Sequence, residues 1–475
     1  MGRFDALYAR LPVPLQHVAV SAFGAYWYWQ RFGPGYRRYV AEYAARDHWS
    51  AAAWTAWQDR RLRGVLASAL EVPYYRDTWT AAERRAARAG HLTALPLLGK
   101  EPLRADPQAF LWPRIAPRRP LVFHTSGSTG TPIASYWSVA EMRRALAVRE
   151  VRSAGWAGVS FRDPRATFSG RMVEPDPLSA GPFYRYNAVE RQTYLSPFHL
   201  RPDTARQYIA ALRWGRVVWL TGYAVSYYLL ARLILEQGLT VPRLRAVITT
   251  SEGVTPAMRG IMEAAYGCRV YEEYSTVENV LFAGECPHGR LHVSPDIGLV
   301  EILRPDCTPC APGEAGDVVV TSLMRRVQPL IRYRLGDVAL WDAVPCPCGR
   351  AQPVLQAVVG RVEDVVVGPD GRQLVRFHGI FVDQPHVREG QIIQEALDRI
   401  RVKIVPTPGF GPVDRADIAA RVQRRLGPAV VVVVEPVAAI PRTAAGKFRA
   451  VVSLLPSAPT DLPDRPAFGS GGSAV

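Results

Sequence analysis

The spacing of apolar residues changes along the chain and predicts where its parts begin and end. Over residues 1–95 apolar positions recur at helical spacing, most clearly from Ser50 to Leu70 and from Ala81 to Ala89, which predicts a mainly helical lead-in. Over residues 120–340 short apolar runs alternate with helical patterns. This alternation is typical of an α/β fold with a largely parallel sheet. The segments that carry it are Val217 to Leu220, Ser226 to Gln237, Ala246 to Thr249 and Val318 to Thr321.

The pattern changes again after Gly360 and Arg361, where short strand-like runs surround one helical pattern. We therefore expect a large N-terminal domain over residues 1–360 and a small, mobile α+β domain over residues 361–455. Residues 456–475 carry Pro, Ser and Gly with few apolar residues, which predicts a disordered tail. The runs of the small domain are Asp364 to Val367, Val402 to Val405, Arg415 to Leu426 and Val430 to Glu435.

The segment from Leu11 to Gln30 is rich in alanine and aromatic residues. Pro12, Pro14, Gln16 and His17 interrupt it, so it is unlike a membrane span. Two interpretations stay open, namely an N-terminal helix packed on the protein and an interfacial helix that touches a membrane. We expect no integral membrane segment, and no signal peptide is visible, which favours a cytoplasmic location.

The chain is basic, with 58 Lys and Arg against 42 Asp and Glu and a net charge of +16 over 475 residues. The arginines are scattered rather than gathered in one stripe, and no nucleic-acid-binding motif occurs, so we expect no nucleic-acid partner. A general attraction for anionic ligands such as nucleotides is the inference that the charge supports.

The segment Thr125-Ser126-Gly127-Ser128-Thr129-Gly130-Thr131-Pro132 packs hydroxyl side chains and glycines into one loop after an apolar run. Such a loop can turn backbone N–H groups and hydroxyls around a phosphate. No Gly-Lys-Ser/Thr follows, so it is not a Walker A motif. The loop predicts a phosphate-binding site.

Lysine is scarce, with only Lys100, Lys403 and Lys447 in the chain. Lys447 stands in the polar stretch from Pro441 to Arg449. A compact ammonium on a flexible stem suits a mobile contact to phosphate or carboxylate, which a guanidinium fork does not provide in the same way. Lys447 is therefore a candidate for such a contact.

Cysteine and histidine occur in two clusters about sixty residues apart, and four of them would make a closed structural Zn²⁺ site. The set that we select is Cys286, His292, Cys346 and Cys348. His288 is the substitute ligand, and Cys307 with Cys310 forms a further Cys-x-x-Cys pair that could displace one pair. Reduced, buried thiols without metal are the alternative, since six cysteines in a chain of this length are not a disulfide scaffold.

Five motifs appear in a fixed order. They are the loop 125–132, the segment from Tyr274 to Glu278, the block from Tyr333 to Asp337, Gly360-Arg361 with Asp364, and residues 441–447. In this order the chain resembles the adenylate-forming acyl ligases, and within them the phenylacetate–CoA ligase family. Its capsular-polysaccharide, CapK-like branch fits best. The short matches to that branch are Leu11-Pro12, Leu15-Gln16, Gly170-Arg171, Arg185 to Asn187, Gly222-Tyr223 and Pro329 to Arg334.

The resemblance implies an acyl-CoA synthetase-like fold, in which a large multi-subdomain α/β domain with mixed or parallel sheets precedes a small α+β lid domain. It also implies a role for each motif. Asp337 would accept the two ribose hydroxyls, and Tyr274 would lie against the adenine. Lys447, Glu278 and Thr129 would be catalytic, with Glu278 holding Mg²⁺. The residues implied in nucleotide binding are Lys100, Ser126, Gly127, Ser128, Thr129, Gly130, Ser251, Glu252, Gly253, Tyr274, Asp337, Arg361 and Lys447.

Three positions depart from the family pattern. Ser275 replaces a glycine, Val277 replaces a hydroxyl that would face the adenylate, and Ile133 stands where relatives often add a lysine. Lys100 could compensate for the missing cation at position 133. These departures also motivate the hypothesis of a degenerate, non-catalytic nucleotide-binding protein.

The resemblance implies that ATP and Mg²⁺ activate a small carboxylic acid through an acyl-adenylate, with CoA as the usual acceptor. The alternative with the same first step is another acceptor, in polysaccharide or secondary metabolism. For the acid, Tyr223, Arg185 and Tyr186 lie in segments that resemble pocket walls, and Arg171 or Arg185 could hold a second anionic group. Aromatic walls would suit an aryl acid. The sequence does not decide whether the chain forms a homodimer.

Overall fold

The structure of the chain is a computed structural model. The residues that it describes are 8, 11–115, 119–124, 133–169, 173–174, 179–361, 366–369, 373–374, 380–381, 384–441 and 448–455.

From residue 11 to residue 105 the chain is mainly helical, as the apolar spacing predicts. Ser50 caps the longest predicted helix by accepting a hydrogen bond from the N–H of Ala53 at 3.3 Å. Thr80 and Glu83 form a capping box at the start of the next predicted helix. The helices are α1 (Val13–Phe32), α2 (Tyr36–Arg46), α3 (Ala51–Ala69), α4 (Pro73–Thr78), α5 (Ala81–Ala89) and α6 (Lys100–Ala105), with a 3₁₀ turn at Leu92–Ala94.

A twelve-stranded sheet forms the centre of the described chain, in the order β11-β12-β13-β14-β10-β9-β8-β7-β6-β3-β5-β4. Its strands are β3 (Arg165–Phe168), β4 (Tyr184–Asn187), β5 (Gln192–Leu195), β6 (Trp219–Tyr223), β7 (Ala246–Thr250), β8 (Val270–Ser275), β9 (Phe282–Glu285), β10 (Leu291–Val293), β11 (Gly298–Leu303), β12 (Gly316–Ser322), β13 (Tyr333–Trp341) and β14 (Val354–Arg361). A separate antiparallel pair consists of β1 (Leu121–His124) and β2 (Ala134–Trp137).

The large sheet is mixed, which confirms an α/β fold with mixed or parallel sheets, but the expectation of a largely parallel sheet holds for less than half of its strand pairs. Only the neighbours β5-β3-β6-β7-β8 pair in parallel, and the other pairs are antiparallel. Parallel neighbours need a crossover helix, which the connections β6-β7 and β7-β8 have. From β8 onward no helix of the described chain separates consecutive strands until the small sheet is reached, so they pair antiparallel. The remaining helices of this part are α7 (Val139–Arg149), which continues as a π-helix at Glu150–Gly155, α8 (Ala205–Trp214), α9 (Ala224–Glu236) and α10 (Pro256–Tyr266).

The centre of the sheet is buried on both faces. In β6, Trp219 packs into one apolar cluster and its neighbour Leu220 into another, and both side chains are fully buried. Since successive strand residues point to opposite faces, the two clusters lie on opposite sides of the sheet. This explains why the sequence shows continuous apolar runs rather than alternation at these strands.

The C-terminal part forms a four-stranded sheet in the order β19-β18-β17-β20 with one helix, so the α+β pattern is confirmed. The pattern missed β17, because Gln394 is fully buried there and bonds the backbone N–H and C=O of Val367 at 2.9 and 2.6 Å. The boundary after residue 360 stays a prediction. The elements are β15 (Val366–Val367), β16 (Gln373–Leu374), β17 (Val387–Ala396), β18 (Arg399–Pro406), α11 (Pro412–Leu426), β19 (Val431–Pro436) and β20 (Val451–Ser453).

A fully buried arginine joins the helical lead-in to the sheet. The Arg152 guanidinium bonds the Asp47 carboxylate at 2.8 Å and the Asp296 carboxylate at 2.6 Å. Burial alone would lower the pKa of Arg152, but the Asp296 and Asp47 carboxylates hold it above its ordinary value. The cation therefore stays charged inside the protein.

We expect Arg152→Leu to lower the free energy of unfolding by about 3–5 kcal/mol, because it removes the fully buried cation between two buried carboxylates. Asp296 and Asp47 would then keep only the longer pairs with Arg46 at 3.2 Å and Arg350 at 3.4 Å. Urea unfolding at neutral pH measures the loss. The matched control is Arg38→Leu, whose side chain is 81% exposed and pairs with Glu42 at 3.0 Å. The control should cost less than about 1 kcal/mol, and equal losses for the two variants would contradict the role of Arg152.

Candidate active site

A cavity of about 990 Å³ lies between the large sheet and the small C-terminal sheet. Loops that follow β7 and β8 form one wall, and residues of the small sheet form the opposite wall. Because β7 and β8 are parallel neighbours, their carboxyl ends open at the same edge, which is where ligands bind in open α/β sheets. The predicted site residues that line the cavity are Lys100, Ser251, Glu252, Gly253, Tyr274, Glu278 and Asp337.

Asp337 and Tyr274 meet across the cavity wall. The Tyr274 hydroxyl donates to the Asp337 carboxylate at 2.7 Å, and Asp337 is only 7% exposed. Tyr274 thus orients the carboxylate that the sequence pattern assigns to ribose. Across the β13-β14 pair, the backbone of Arg361 lies in register with Asp337.

Backbone pairing brings Lys100 into the cavity. Leu98 bridges to β13, since its N–H donates to the Arg332 carbonyl and its carbonyl accepts from the Arg334 N–H, both at 2.9 Å. Lys100 follows at the start of α6, and its ammonium lies against Gly336, where an added Cβ would stand 2.8 Å from Nζ. Gly336 also has a φ of +77°, which favours glycine.

Glu278 lines the cavity and is largely buried. The Tyr333 hydroxyl donates to the Glu278 carboxylate at 2.9 Å, and the Arg325 guanidinium donates to the Glu278 backbone carbonyl at 2.5 Å. Burial and the neighbouring carboxylate raise the pKa of Tyr333, so its hydroxyl remains a donor. A fixed carboxylate of this kind is a suitable oxygen ligand for Mg²⁺.

One hydroxyl of the cavity was missed by the sequence reasoning. The Thr276 Oγ1 atom is buried and has no hydrogen-bond partner among the residues that the structure describes. Thr276 lines the cavity together with its neighbour Val277, whose side chain is 38% exposed. A hydroxyl thus stands one residue before the position at which the sequence pattern lacks one.

Glu252 contacts both lobes. Its carboxylate accepts from the Val225 N–H in the first turn of α9 at 2.8 Å and from the Phe448 N–H at 3.3 Å. A carboxylate is favoured at a helix N-terminus by the helix dipole. Ile133, by contrast, is 2% exposed and packs into the apolar core, so that position provides no cation.

Two groups of predicted residues lie outside the described part of the chain. These are the loop with Ser126, Gly127, Ser128, Thr129 and Gly130, and the segment with Lys447. Phe448, next to Lys447 in sequence, is described and lines the cavity. Arg171, one of the two candidates for a second anionic group, also lies outside the described residues.

Arg185, the other candidate, does not hold a ligand. Its guanidinium is 1% exposed and bonds the Glu174 carboxylate at 2.9 Å and the Gln16 side-chain oxygen at 2.5 Å. It also donates to the Pro182 and Tyr184 carbonyls. The interpretation of Arg185 as an acid-binding residue is wrong, because protein groups already satisfy it.

Cys286, His292, Cys346 and Cys348 converge beside the cavity, with their candidate ligand atoms all within 4.8 Å of one another. The Sγ atoms of Cys286 and Cys346 are 3.6 Å apart, too far for a disulfide. Sulfur ligands about 2.3 Å from a tetrahedral Zn²⁺ stand about 3.8 Å apart, so the residues fit that ion. Cys307 is exposed, and neither it nor Cys310 belongs to the cluster that the described residues form.

The surroundings of His292 fix which ring nitrogen faces the cluster. Its Nδ1 lies 3.2 Å from the Gln352 carbonyl, which can only accept, so Nδ1 carries the proton and Nε2 faces Cys348 Sγ at 3.4 Å. Burial lowers the pKa of His292 to about 4, which leaves the ring neutral near pH 7. Such an orienting carbonyl is a usual partner of a metal-bound histidine. The substitute His288 donates only its backbone N–H, to Cys286 Sγ at 3.4 Å.

Comparison with known proteins gives one family match and two curated relatives. Residues 369–454 match the family model described as the CapK C-terminal domain. Protein CapK of Staphylococcus aureus is 26% identical over 286 residues, which cover 59% of this chain and 62% of CapK. The phenylacetate-coenzyme A ligase of Thermus thermophilus is 24% identical over 44% of this chain and 54% of that enzyme. The chain thus spans less than two thirds of either relative.

Solved structures show the fold. A 2-hydroxyisobutyryl-CoA ligase in the postadenylation state, in complex with R3-HIB-AMP, is 22% identical and superposes with a TM-score of 0.65 over 86% of this chain and 91% of its own. The same ligase superposes with a TM-score of 0.54 in its thioesterification state and of 0.53 in an open conformation. Of these three arrangements, this chain is therefore most similar to the postadenylation one. No helix in the described part of the chain is both long and apolar enough to cross a membrane.

Proposed function

We propose that this chain, which carries a CapK C-terminal domain on the fold of adenylate-forming acyl ligases, activates a small carboxylic acid with ATP and then transfers the acyl group to CoA. In the first step a carboxylate oxygen attacks the α-phosphate, so that an acyl-adenylate forms and pyrophosphate leaves. In the second step the CoA thiol attacks the acyl carbon and AMP leaves. The observation that carries the proposal is the meeting of Asp337, Tyr274 and Lys100 in the cavity between the lobes.

The chemistry explains why these groups are needed. Attack on ATP concentrates negative charge on phosphate oxygens, and preorganised cations and donors lower that barrier most. Lys100 from the large lobe and Lys447 from the small lobe would supply ammonium groups, and Mg²⁺ held by Glu278 would neutralise further charge. Asp337 would orient the ribose, and the Thr276 hydroxyl would donate to the adenylate in place of one at position 277.

The proposal also concerns which acid is activated and which acceptor receives the acyl group. Adenylation alone with another acceptor would give pyrophosphate release that does not depend on CoA, and a degenerate protein would bind ATP without turnover. A panel of aryl and short aliphatic acids, assayed for pyrophosphate with and without CoA, separates these outcomes.

We expect Lys447→Ala to lower pyrophosphate release by about 10²-fold or more, as removal of a main electrostatic stabiliser does. The measurement is ATP-dependent pyrophosphate release with the best acid of the panel. The matched control is Lys403→Ala, on β18 of the same small lobe, which should stay within about twofold. An unchanged rate in Lys447→Ala would remove the role proposed for this residue.

We expect Gly336→Ala to weaken binding of ATP with Mg²⁺ by about tenfold, because the new Cβ would displace the Lys100 ammonium. Calorimetric titration measures the affinity. Gly238→Ala is the control, since it has a φ of +59° but nothing within 4 Å of the added Cβ. Both variants carry the same kind of backbone strain, so similar ATP affinities in the two would contradict the role of Lys100.

We also propose that the cysteine cluster holds one structural Zn²⁺. Its support is the convergence of three thiols and a neutral imidazole whose other nitrogen is already bonded. The four groups come from the β9-β10 turn, from β10 and from the segment before β14. A metal would therefore join the β9-β10 hairpin to the connection between β13 and β14, next to the strand that carries Asp337.

We expect metal analysis of the purified protein to give close to one zinc per chain, and Cys346→Ser to lose most of it. Cys307→Ser is the matched control, because Cys307 is exposed and lies outside the cluster, and it should keep the metal. Loss of zinc should lower thermal stability in Cys346→Ser alone. Wild-type protein without zinc and of undiminished stability would refute the site.

A further inference from the structure

The N-terminal helix α1 has its polar side chains turned inward. Gln16 accepts from the buried Arg185, His17 Nδ1 accepts from the Tyr186 N–H at 2.9 Å, and the Ser21 hydroxyl accepts from the Ala188 N–H at 3.0 Å. At the far end, Arg31 pairs with Glu190 at 2.9 Å. These bonds fasten one face of α1 to β4 and to the turn that follows it.

The opposite face of α1 is apolar and open. The large apolar side chains that are at least half exposed are Leu15, Val18, Phe23, Tyr26 and Trp29, at 50, 63, 54, 51 and 63%. At 100° per residue four of them fall within a stripe about 80° wide, and Phe23 lies about 60° beyond its edge, so that the five span about 140°. An outward row of this length is unusual for a protein surface, where apolar residues occur singly.

A further exposed ring lies on the inward side of α1. Trp214, at the end of α8, is 55% exposed, and its ring lies 5.7 Å from that of His17 and 4.9 Å from that of Tyr186. Because His17 belongs to the inward face, Trp214 is not part of the outward row. We call Leu15, Val18, Phe23, Tyr26 and Trp29 the outer aromatic face.

The sequence around this face carries more positive than negative charge, although Arg31 pairs with Glu190 and Arg38 with Glu42. From residue 6 to residue 41 the sequence has four arginines and no Asp or Glu. Arg37 and Arg38 are exposed just beyond the end of α1. The whole chain has a net charge of +16, which adds a longer-range attraction for anionic surfaces.

We propose that the outer aromatic face docks this protein on the interface of an anionic lipid bilayer, with α1 lying flat in the plane of the membrane. Tyr and Trp are enriched at that interface because their rings are apolar and carry a polar tip. An interfacial helix gains affinity from buried apolar area together with attraction to anionic lipids. The inward hydrogen bonds of Gln16, His17 and Ser21 keep α1 on the protein, so docking needs no insertion across the bilayer.

A second copy of the chain is a less suitable occupant. A partner would bring a second exposed Arg37 to the contact, and like charges at a contact cost free energy. The positive net charge of the chain favours an anionic surface instead. Arg31 and Arg38 add little to the repulsion, since Glu190 and Glu42 pair with them.

The test is co-sedimentation of the full chain with vesicles of phosphatidylcholine alone and of phosphatidylcholine mixed with phosphatidylglycerol. We expect binding to the mixed vesicles that weakens with added salt, and a loss of about tenfold or more in the double variant Phe23→Glu with Trp29→Glu. The control is Val413→Glu, at a side chain that is 82% exposed on α11, and it should bind as wild type does. Thermal unfolding and ATP binding confirm that each variant is folded.

Two results would overturn the proposal. One is wild-type protein that stays in the supernatant with both kinds of vesicle. The other is a double variant that sediments as wild type does. A concentration-dependent dimer that the double variant abolishes, without vesicle binding, would assign the outer aromatic face to a second copy of the chain and also reject the membrane.

Discussion

The structure depends on one electrostatic constraint, the pairing of the buried Arg152 cation with Asp47 and Asp296. A charge in the interior is tolerated only when its partners are in place, so the residue after α2 and the turn before β11 must both reach the π-helix that carries Arg152. Asp47 also accepts from Gln352 at 3.0 Å, and the Gln352 carbonyl orients His292. One guanidinium thus connects the helical lead-in, the large sheet and the cysteine cluster. Such an arrangement specifies a single packing of these parts more strongly than apolar contacts would, since an apolar surface tolerates small shifts and a buried ion does not.

Much of the fold could be predicted from local patterns, because the elements concerned are local. The helix at Ala81–Ala89 carries its own capping box, and the apolar runs at β6 and β7 are buried on both faces. Strand direction could not be predicted in the same way. It depends on whether a helix crosses between two strands or a short connection turns back, and the apolar run of β12 looks the same in either case. The sequence pattern also failed to predict β17. The buried Gln394 bonds backbone groups there and interrupts the alternation of apolar residues.

The candidate site likewise combines residues that sequence motifs predict with contacts that only the folded structure shows. Motif order pointed to Asp337 and Tyr274 and the family resemblance to Lys100, and the cavity between the lobes brings the three together. No sequence pattern could indicate that Tyr274 donates to Asp337, because the two residues are 63 positions apart and meet only through the sheet. Arg185 shows the opposite failure. An arginine beside aromatic residues suggests an anion site, but a guanidinium has five donors, and here a carboxylate, an amide and two carbonyls already accept from it.

The N-terminal helix shows why burial has to be read from hydrogen bonds as well as from hydropathy. An apolar helix with few charges would ordinarily turn its aromatic rings into the core and its polar groups to water. The edge strand β4 has backbone groups that need partners, and His17 and Ser21 of α1 bond the N–H and the carbonyl of Tyr186. Gln16 accepts from the side chain of Arg185 on the same strand. The inner face of α1 is used for these hydrogen bonds, and the aromatic rings therefore remain exposed. An unsatisfied buried polar group would cost more free energy of folding than an exposed ring does. The apolar outer face is therefore a consequence of how the sheet edge is closed, and the absence of Asp and Glu from residues 6–41 favours an anionic surface as its partner.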